Sequence, residues 1–244
     1  MDRYIKNIIK GFNDLTDRYD SWTIFNDFIA MAAISIRNSV TIVDWEEKEQ
    51  QYLEIAKKYH KKELDKFAEI LMELILALEK ESTDVLGRVF MEMDLGSKWT
   101  GQFFTPMSVA ELMAEMTIER IREIIDKDGY VTVFEPAVGG GAMIIALANI
   151  LKRHGYNYQN QMVVIAQDID IKSVYMSYIQ FSLLGIPAKV IHGNTLTVEL
   201  YEEWNTPFYV LNLWDYRLRK GKKKQKEKEA IELSIEKNGQ LTFF

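Results

Sequence analysis

The stretch Val131 to Met143, VTVFEPAVGGGAM, restricts the fold of this chain more than any other. Val131, Thr132, Val133 and Phe134 are apolar or β-branched, which suits a strand. Glu135-Pro136-Ala137 and then Gly139, Gly140 and Gly141 follow, and the IIALANIL beyond them has helical composition. The order is strand, tight turn, helix. Consecutive glycines let a backbone adopt positive φ and approach a ligand closely, and the helix start offers N–H groups without intrahelical partners. A nucleotide-like cofactor is the natural occupant of such a turn. Close packing of strand against helix is the other use of the same residues.

From Val131 onward, apolar runs alternate with helical patterns. Strands are predicted at Val131 to Phe134, Met162 to Ala166, Ala188 to His192 and Phe208 to Leu211, with helices at Ala142 to Arg153 and Ile171 to Leu184. This is the βαβ alternation of an open parallel sheet, which places a ligand at the carboxyl ends of the strands. After the fourth strand 33 residues remain, room for a basic helix and one strand near Gln240 to Phe244. The sheet is therefore expected to be short, with an edge covered by other helices or by a second subunit.

The first 95 residues contain no proline and only two glycines, Gly11 and Gly87, and their apolar residues recur at helical spacing. Helices are predicted from Trp22 to Asn38, after Asp44, and from Lys61 to Lys80. The domain reading is an α-helical module over residues 1–95 followed by an α/β domain over residues 96–244. The charge runs EEKEQ and KKELDK read as solvated helix faces.

Cysteine is absent and the histidines, His60, His154 and His192, are scattered, which excludes disulfides and argues against zinc chemistry. The first residues, MDRYIKNIIKGF, lack the apolar core of a signal peptide, and no run of about 18 apolar residues occurs. A cytoplasmic protein with no membrane partner is expected. The formal net charge is −6, yet Arg217 to Lys228 holds eight basic residues and one acid. Such a segment attracts a phosphate backbone, DNA included; a solvated helix is the alternative.

Four motifs stand in order: GQFFTP ending at Pro106, EPAVGGGAM, VVIAQDID, and HGNTL. In this order, over roughly residues 84–212, the chain resembles the methylase (modification) subunits of type I restriction-modification systems, which are S-adenosylmethionine-dependent DNA adenine N6-methyltransferases. The resemblance implies a Rossmann-like methyltransferase sheet with S-adenosylmethionine as cofactor. It implies that Glu135, Pro136, Ala137, Gly139, Gly140 and Gly141 hold the methionine part, with Phe104, Thr105 and Pro106 covering its amino-acid end. Asp168 then accepts hydrogen bonds from the ribose hydroxyls, a task for a carboxylate with two acceptor oxygens. Capping the next helix is the competing use of Asp168, although Asp170 serves that purpose as well. Ile169 would pack on the adenine. Asn194 stands where the family carries an aspartate contacting the adenine amino group, and a turn role is its alternative. His192 reads as a packed strand residue.

The family's catalytic motif is an Asn or Asp, two prolines and an aromatic. Here the corresponding stretch is Leu211-Asn212-Leu213-Trp214-Asp215-Tyr216, and both prolines are missing. Asn212, Trp214 and Asp215 are the catalytic candidates. Target choice would come from a specificity subunit, from a homodimer partner, or from relaxed DNA contact through the basic segment. Three functional expectations follow: a DNA adenine N6-methyltransferase or methylase-like subunit, a catalytically inactive homologue that binds the cofactor in a regulatory or anti-restriction role, and methyl transfer to another acceptor such as RNA or protein.

Overall fold

The computed structural model describes residues 2–95 and 104–221. Gly101 to Phe103 of the GQFFTP motif, Lys222 to Lys228 of the basic segment, and the strand expected near Gln240 lie outside the described residues. Five helices come first: α1 (Arg3–Asn13), α2 (Ser21–Asn38), α3 (Trp45–Ala56), α4 (Lys61–Lys80) and α5 (Val85–Glu92). The starts of α1, α2, α4 and α5 are marked by capping side chains, and that of α3 is not. Asp2 accepts from Tyr4 N, Asp20 from Thr23 N and Asp84 from Gly87 N, while His60 and Glu63 form a capping box on α4.

The α/β part runs α6 (Met107–Asp128), β1 (Val131–Glu135), α7 (Ala142–Arg153), α8 (Tyr158–Gln161), β2 (Met162–Asp168), α9 (Ile171–Leu183), β3 (Ala188–Asn194), β4 (Glu199–Asn205) and α10 (Pro207–Leu211), with residues 214–221 again helical. Gly129, at φ 84°, ends α6 in the left-handed conformation and lets the chain turn directly into β1. The sheet order is β1-β2-β3-β4, with β1, β2 and β3 parallel and β4 antiparallel to β3.

The fourth strand differs from expectation. Phe208 to Leu211 is not a strand but lies in α10, with Thr206 as N-cap and Pro207 in the first turn. A short apolar run fits helix and strand equally, and Pro207, which lacks an N–H and has φ near the helical value, decides for a helix start. The real fourth strand lies earlier. Only residues 195–198 separate β3 from β4, and a parallel return would need a crossover of about a dozen residues or more. The chain therefore turns back as a hairpin, and everything after β4 is delivered to the amino ends of the parallel strands.

One hydrophobic cluster extends from Ile5 through α7 and α9 to Trp204. Among the described residues the helical module and the sheet thus share a core. Rings link the two parts: Phe12 packs on Phe25 and Phe28, Phe25 on Phe90, and Phe90 on Phe104 at 5.2 Å between centroids. Arg37 and Lys48, both buried, lie over the Trp204 ring at 5.4 and 5.2 Å, and Lys48 pairs with Glu202. These cations fasten α2 and α3 to β4. A smaller cluster of Val163, Tyr209 and Trp214 fills the other sheet face at its amino end. Among the described residues β1 pairs only with β2, so its outer edge is open.

Candidate cofactor site

The glycine turn begins where β1 ends. Val138 N donates to Gln167 O, and Gly139 N donates to Asp168 Oδ2 at 2.9 Å, so the turn is tied to the end of the neighbouring parallel strand. Gly139 has φ +54° and Gly141 φ +100°, conformations that L side chains rarely adopt. The three glycines serve different neighbours. A Cβ on Gly139 would stand 3.0 Å from the Phe104 ring, one on Gly140 would stand 2.5 Å from Asp84 Oδ2, and one on Gly141 would stand 2.6 Å from Phe181. Gly140 and Gly141 are thus required by inward packing. Of the three, Gly139 is the one least buried.

Helix α7 starts at the turn with no side chain capping it. Its first-turn N–H groups and the positive end of its dipole face the strand ends, where a carboxylate or phosphate finds donors. Asp168 has both oxygens engaged, Oδ2 by Gly139 N and Oδ1 by Asp170 N. Each oxygen keeps a second lone pair, enough to accept from a vicinal diol. The helix-capping role falls to Asp170, whose side chain accepts from Lys172 N. Ile169 beside it is 62% exposed, an apolar surface available to a flat ring. Phe104 is half-buried against the turn, and Thr105 and Pro106 are exposed at the start of α6.

Two carboxylates share this ground. Burial raises the Asp168 carboxyl above its usual range, against the pull of the Asp170 and Gly139 N–H groups. Burial also raises Glu135, and the nearby Asp168 charge adds to it, while the Ala137 N–H opposes. A cationic ligand group would favour ionisation of both. Diol acceptors, amide donors, an apolar shelf and paired carboxylates fit a ligand that carries an amino acid, a ribose and an adenine.

The hairpin after β3 closes one side. Asn194 Oδ1 accepts from Leu196 N and Thr197 N, so its acceptor oxygen shapes the turn and Nδ2 is what remains for a ligand. Thr195 Oγ1 donates to Pro136 O at 2.8 Å and joins the hairpin to the glycine turn. Thr195 was not among the expected site residues, and its only sequence signal is its place in HGNTL. His192 packs edge-on against Tyr201, with Nε2 3.2 Å from Ile169 O.

Asn212, Trp214 and Asp215 are brought together elsewhere. Asn212 Nδ2 donates to Gln159 O at 2.8 Å, in the helix just before β2, and Trp214 is fully buried against Tyr130, the residue before β1. Asp215 accepts from Tyr209 OH and lies 3.8 Å from Lys189, near the start of β3. All three stand at the amino ends of the strands. The β2 strand, Met162–Asp168, separates that end from the glycine turn by roughly 20 Å at about 3.3 Å per residue. Their expected position beside the cofactor is corrected, and the hairpin route of the chain is the reason. Arg217 is also drawn inward: its guanidinium lies 3.6 Å from the centre of the Trp214 ring and NH2 donates to Asn160 O. Arg219 and Lys220 are the exposed cations among the described part of the basic segment.

A cavity of about 810 Å³ runs along β4 and α10, lined by Arg37, Asp44, Tyr201, Tyr209, Asp215 and Arg219 among others. It does not include the glycine turn. Donors and acceptors suited to a nucleoside converge at the turn and not in this mixed-charge cleft, so the turn is the candidate site.

No curated protein matches the chain. Among solved structures, a class I S-adenosylmethionine-dependent methyltransferase from Listeria monocytogenes aligns at 10% identity and a TM-score of 0.43, over 80% of this chain and 55% of the other. This chain thus spans about half the length of that structure. The family model described as N-6 DNA methylase matches residues 81–243, two-thirds of the sequence and all of the elements that build the site. The chain belongs to the N-6 DNA methylase family.

Proposed function

We propose that this chain is a methylase component of a DNA restriction-modification system, holding S-adenosylmethionine at the glycine turn for transfer of its methyl group to the N6 of a DNA adenine. S-adenosylmethionine is the cofactor of the family, and it supplies an electrophilic methyl on a sulfonium. The observation that carries the reading is the lock between Gly139 N and Asp168 Oδ2, because it orders turn, ribose acceptor and helix start around one ligand-sized space. Phe104 to Pro106, Glu135 to Ala137, Gly139 and the α7 amides would bind the amino-acid end. Asp168 would hold the ribose, Ile169 the adenine face, and Asn194 Nδ2 an adenine ring nitrogen. Nearby carboxylates complement the positive charge of the ligand.

The acceptor side differs from the family pattern. Asn212, Trp214 and Asp215 are engaged in packing at the far end of the sheet, so the target base is held by other groups, a specificity subunit or a second copy of the chain being the natural suppliers. The same observation favours a second reading, in which the chain binds cofactor without methylating and acts as a regulatory or anti-restriction homologue. One experiment separates them: cofactor binding by calorimetry, with transfer of labelled methyl to unmethylated DNA on the same preparation. Label recovered as N6-methyladenine supports the first reading. Binding without transfer supports the second. Absence of binding refutes both.

A further inference from the structure

Helix α5 and the glycine turn meet through a buried polar joint contributed by three distant parts of the chain. Gln180, on α9 and fully buried, donates from Nε2 to Asp84 Oδ1 at 2.8 Å and to Gly140 O at 2.7 Å. Its Oε1 accepts from Leu86 N at 3.0 Å. Asp84 Oδ1 also accepts from Gly87 N, capping α5, and the Asp84 carboxylate lies directly against the Gly140 α-carbon. Both hydrogens and the oxygen of the Gln180 amide are used, as a buried amide requires. The Gly140–Gly141 peptide is consequently held at both ends, its carbonyl by Gln180 and its N–H by Val138 O at 2.9 Å.

We infer that Asp84 and Gln180 are positioning residues for the cofactor turn, fixing the Gly140 carbonyl inward so that cofactor affinity depends on where α5 of the helical module sits. The inference rests on the cofactor reading of the turn. Turning this peptide plane outward would swing the adjoining Gly139–Gly140 peptide and the first turn of α7, the groups that meet the ligand. A helix that packs on α1, α4 and α9 is in this way connected to a binding site it does not line. Displacement of α5 by a partner would be read at the cofactor.

The test exchanges the polarity of the pair. In the double variant D84N/Q180E, the amide introduced at position 84 donates to the carboxylate introduced at position 180 and gives up the Gly87 N contact, because both bonds run through Asp84 Oδ1. That carboxylate still accepts from Leu86 N, but nothing donates to Gly140 O. Three quantities are measured: thermal unfolding, hydrogen exchange of residues 138–144 without cofactor, and the Kd for S-adenosylmethionine. The expected result is a folded protein with faster exchange across the turn and about tenfold weaker cofactor binding, the order expected for one buried hydrogen bond lost at the turn. Unchanged turn exchange overturns the inference, as does an unchanged Kd in a wild type that binds. A purely structural joint would lower the melting temperature while leaving Kd, measured well below the transition, alone. Should the double variant not fold, Gln180→Met fills similar volume without the donor and is measured in the same way. A wild type that binds no S-adenosylmethionine refutes the cofactor reading, and turn exchange still decides the joint.

Discussion

Replacing Trp214 by alanine distinguishes a packing role from a place at the methyl-transfer centre. The indole is fully buried, meets the Tyr130 ring edge-on at 5.2 Å, carries the Arg217 guanidinium at 3.6 Å, and packs with Val163 and Tyr209. Removing a buried tryptophan in a core that relaxes only partly costs about 3–5 kcal/mol. Arg217, left without its ring, loses a stacking contact of about 1 kcal/mol that partly overlaps this figure. For a chain of this size each kcal/mol moves the midpoint by about 2–4 °C, so the variant should melt roughly 6–20 °C below wild type. Because the indole stands at the amino ends of the strands, cofactor affinity measured by calorimetry well below the transition should change by less than about twofold, a few tenths of a kcal/mol. Circular dichroism melting and calorimetry on one preparation decide the matter. A variant that melts within about 2 °C of wild type yet loses cofactor binding or methyl transfer would refute the placement, since a change below about 1 kcal/mol is incompatible with a core tryptophan.

Three further outcomes follow from the turn. Asp168→Ala removes the acceptor of Gly139 N and the proposed ribose contact, and should weaken S-adenosylmethionine by about ten- to a hundredfold at neutral pH, as for lost hydrogen bonds to a charged group. Gly139→Val places a β-branched side chain at φ +54° with its Cβ 3.0 Å from Phe104, and should abolish detectable binding while costing about 1–3 kcal/mol in urea unfolding. Burial raises the carboxyls of Asp84, Glu135 and Asp168 above the unfolded values of 3.8, 4.5 and 3.8. The folded state then binds more protons than the unfolded one between those values and the raised ones. The contribution of these groups is therefore most favourable below the unfolded values and is lost as pH rises through the folded ones. D84N/E135Q/D168N should accordingly flatten a falling component of stability against pH in cofactor-free protein. An unchanged slope would show that these groups are not the source.

Patterns local in the chain were legible in the residues alone. Helix α7 follows its expected bounds, Ala142–Arg153, and α4 follows Lys61–Lys80, because apolar periodicity and terminal residues specify a helix from within. The first three strands were equally plain, with β2 and β3 each reaching two residues further than their apolar runs. The fourth strand was not. Leu200 and Trp204 of β4 stand among glutamates, and only Trp204 is fully buried, so the strand lacks the apolar signature by which its neighbours are found. The place of Asp168 at the end of β2 was legible from the apolar run before it, whereas the pairing of Asp84 was not, since its partner Gln180 is 96 residues away.

What the order of residues decides here is the chemistry of one crossing: a strand, a glycine turn and an acidic strand end, each set by steric limits on neighbouring peptides. What it leaves open is delivery. Asn212 and Trp214 have the right chemistry for a base-binding site, but the return of the chain as a hairpin carries them to the opposite end of the sheet. The direction of β4 follows from the short connection at residues 195–198 and from the burial of Trp204 beneath Arg37 and Lys48. Those contacts join residues more than a hundred positions apart, and no local periodicity encodes them.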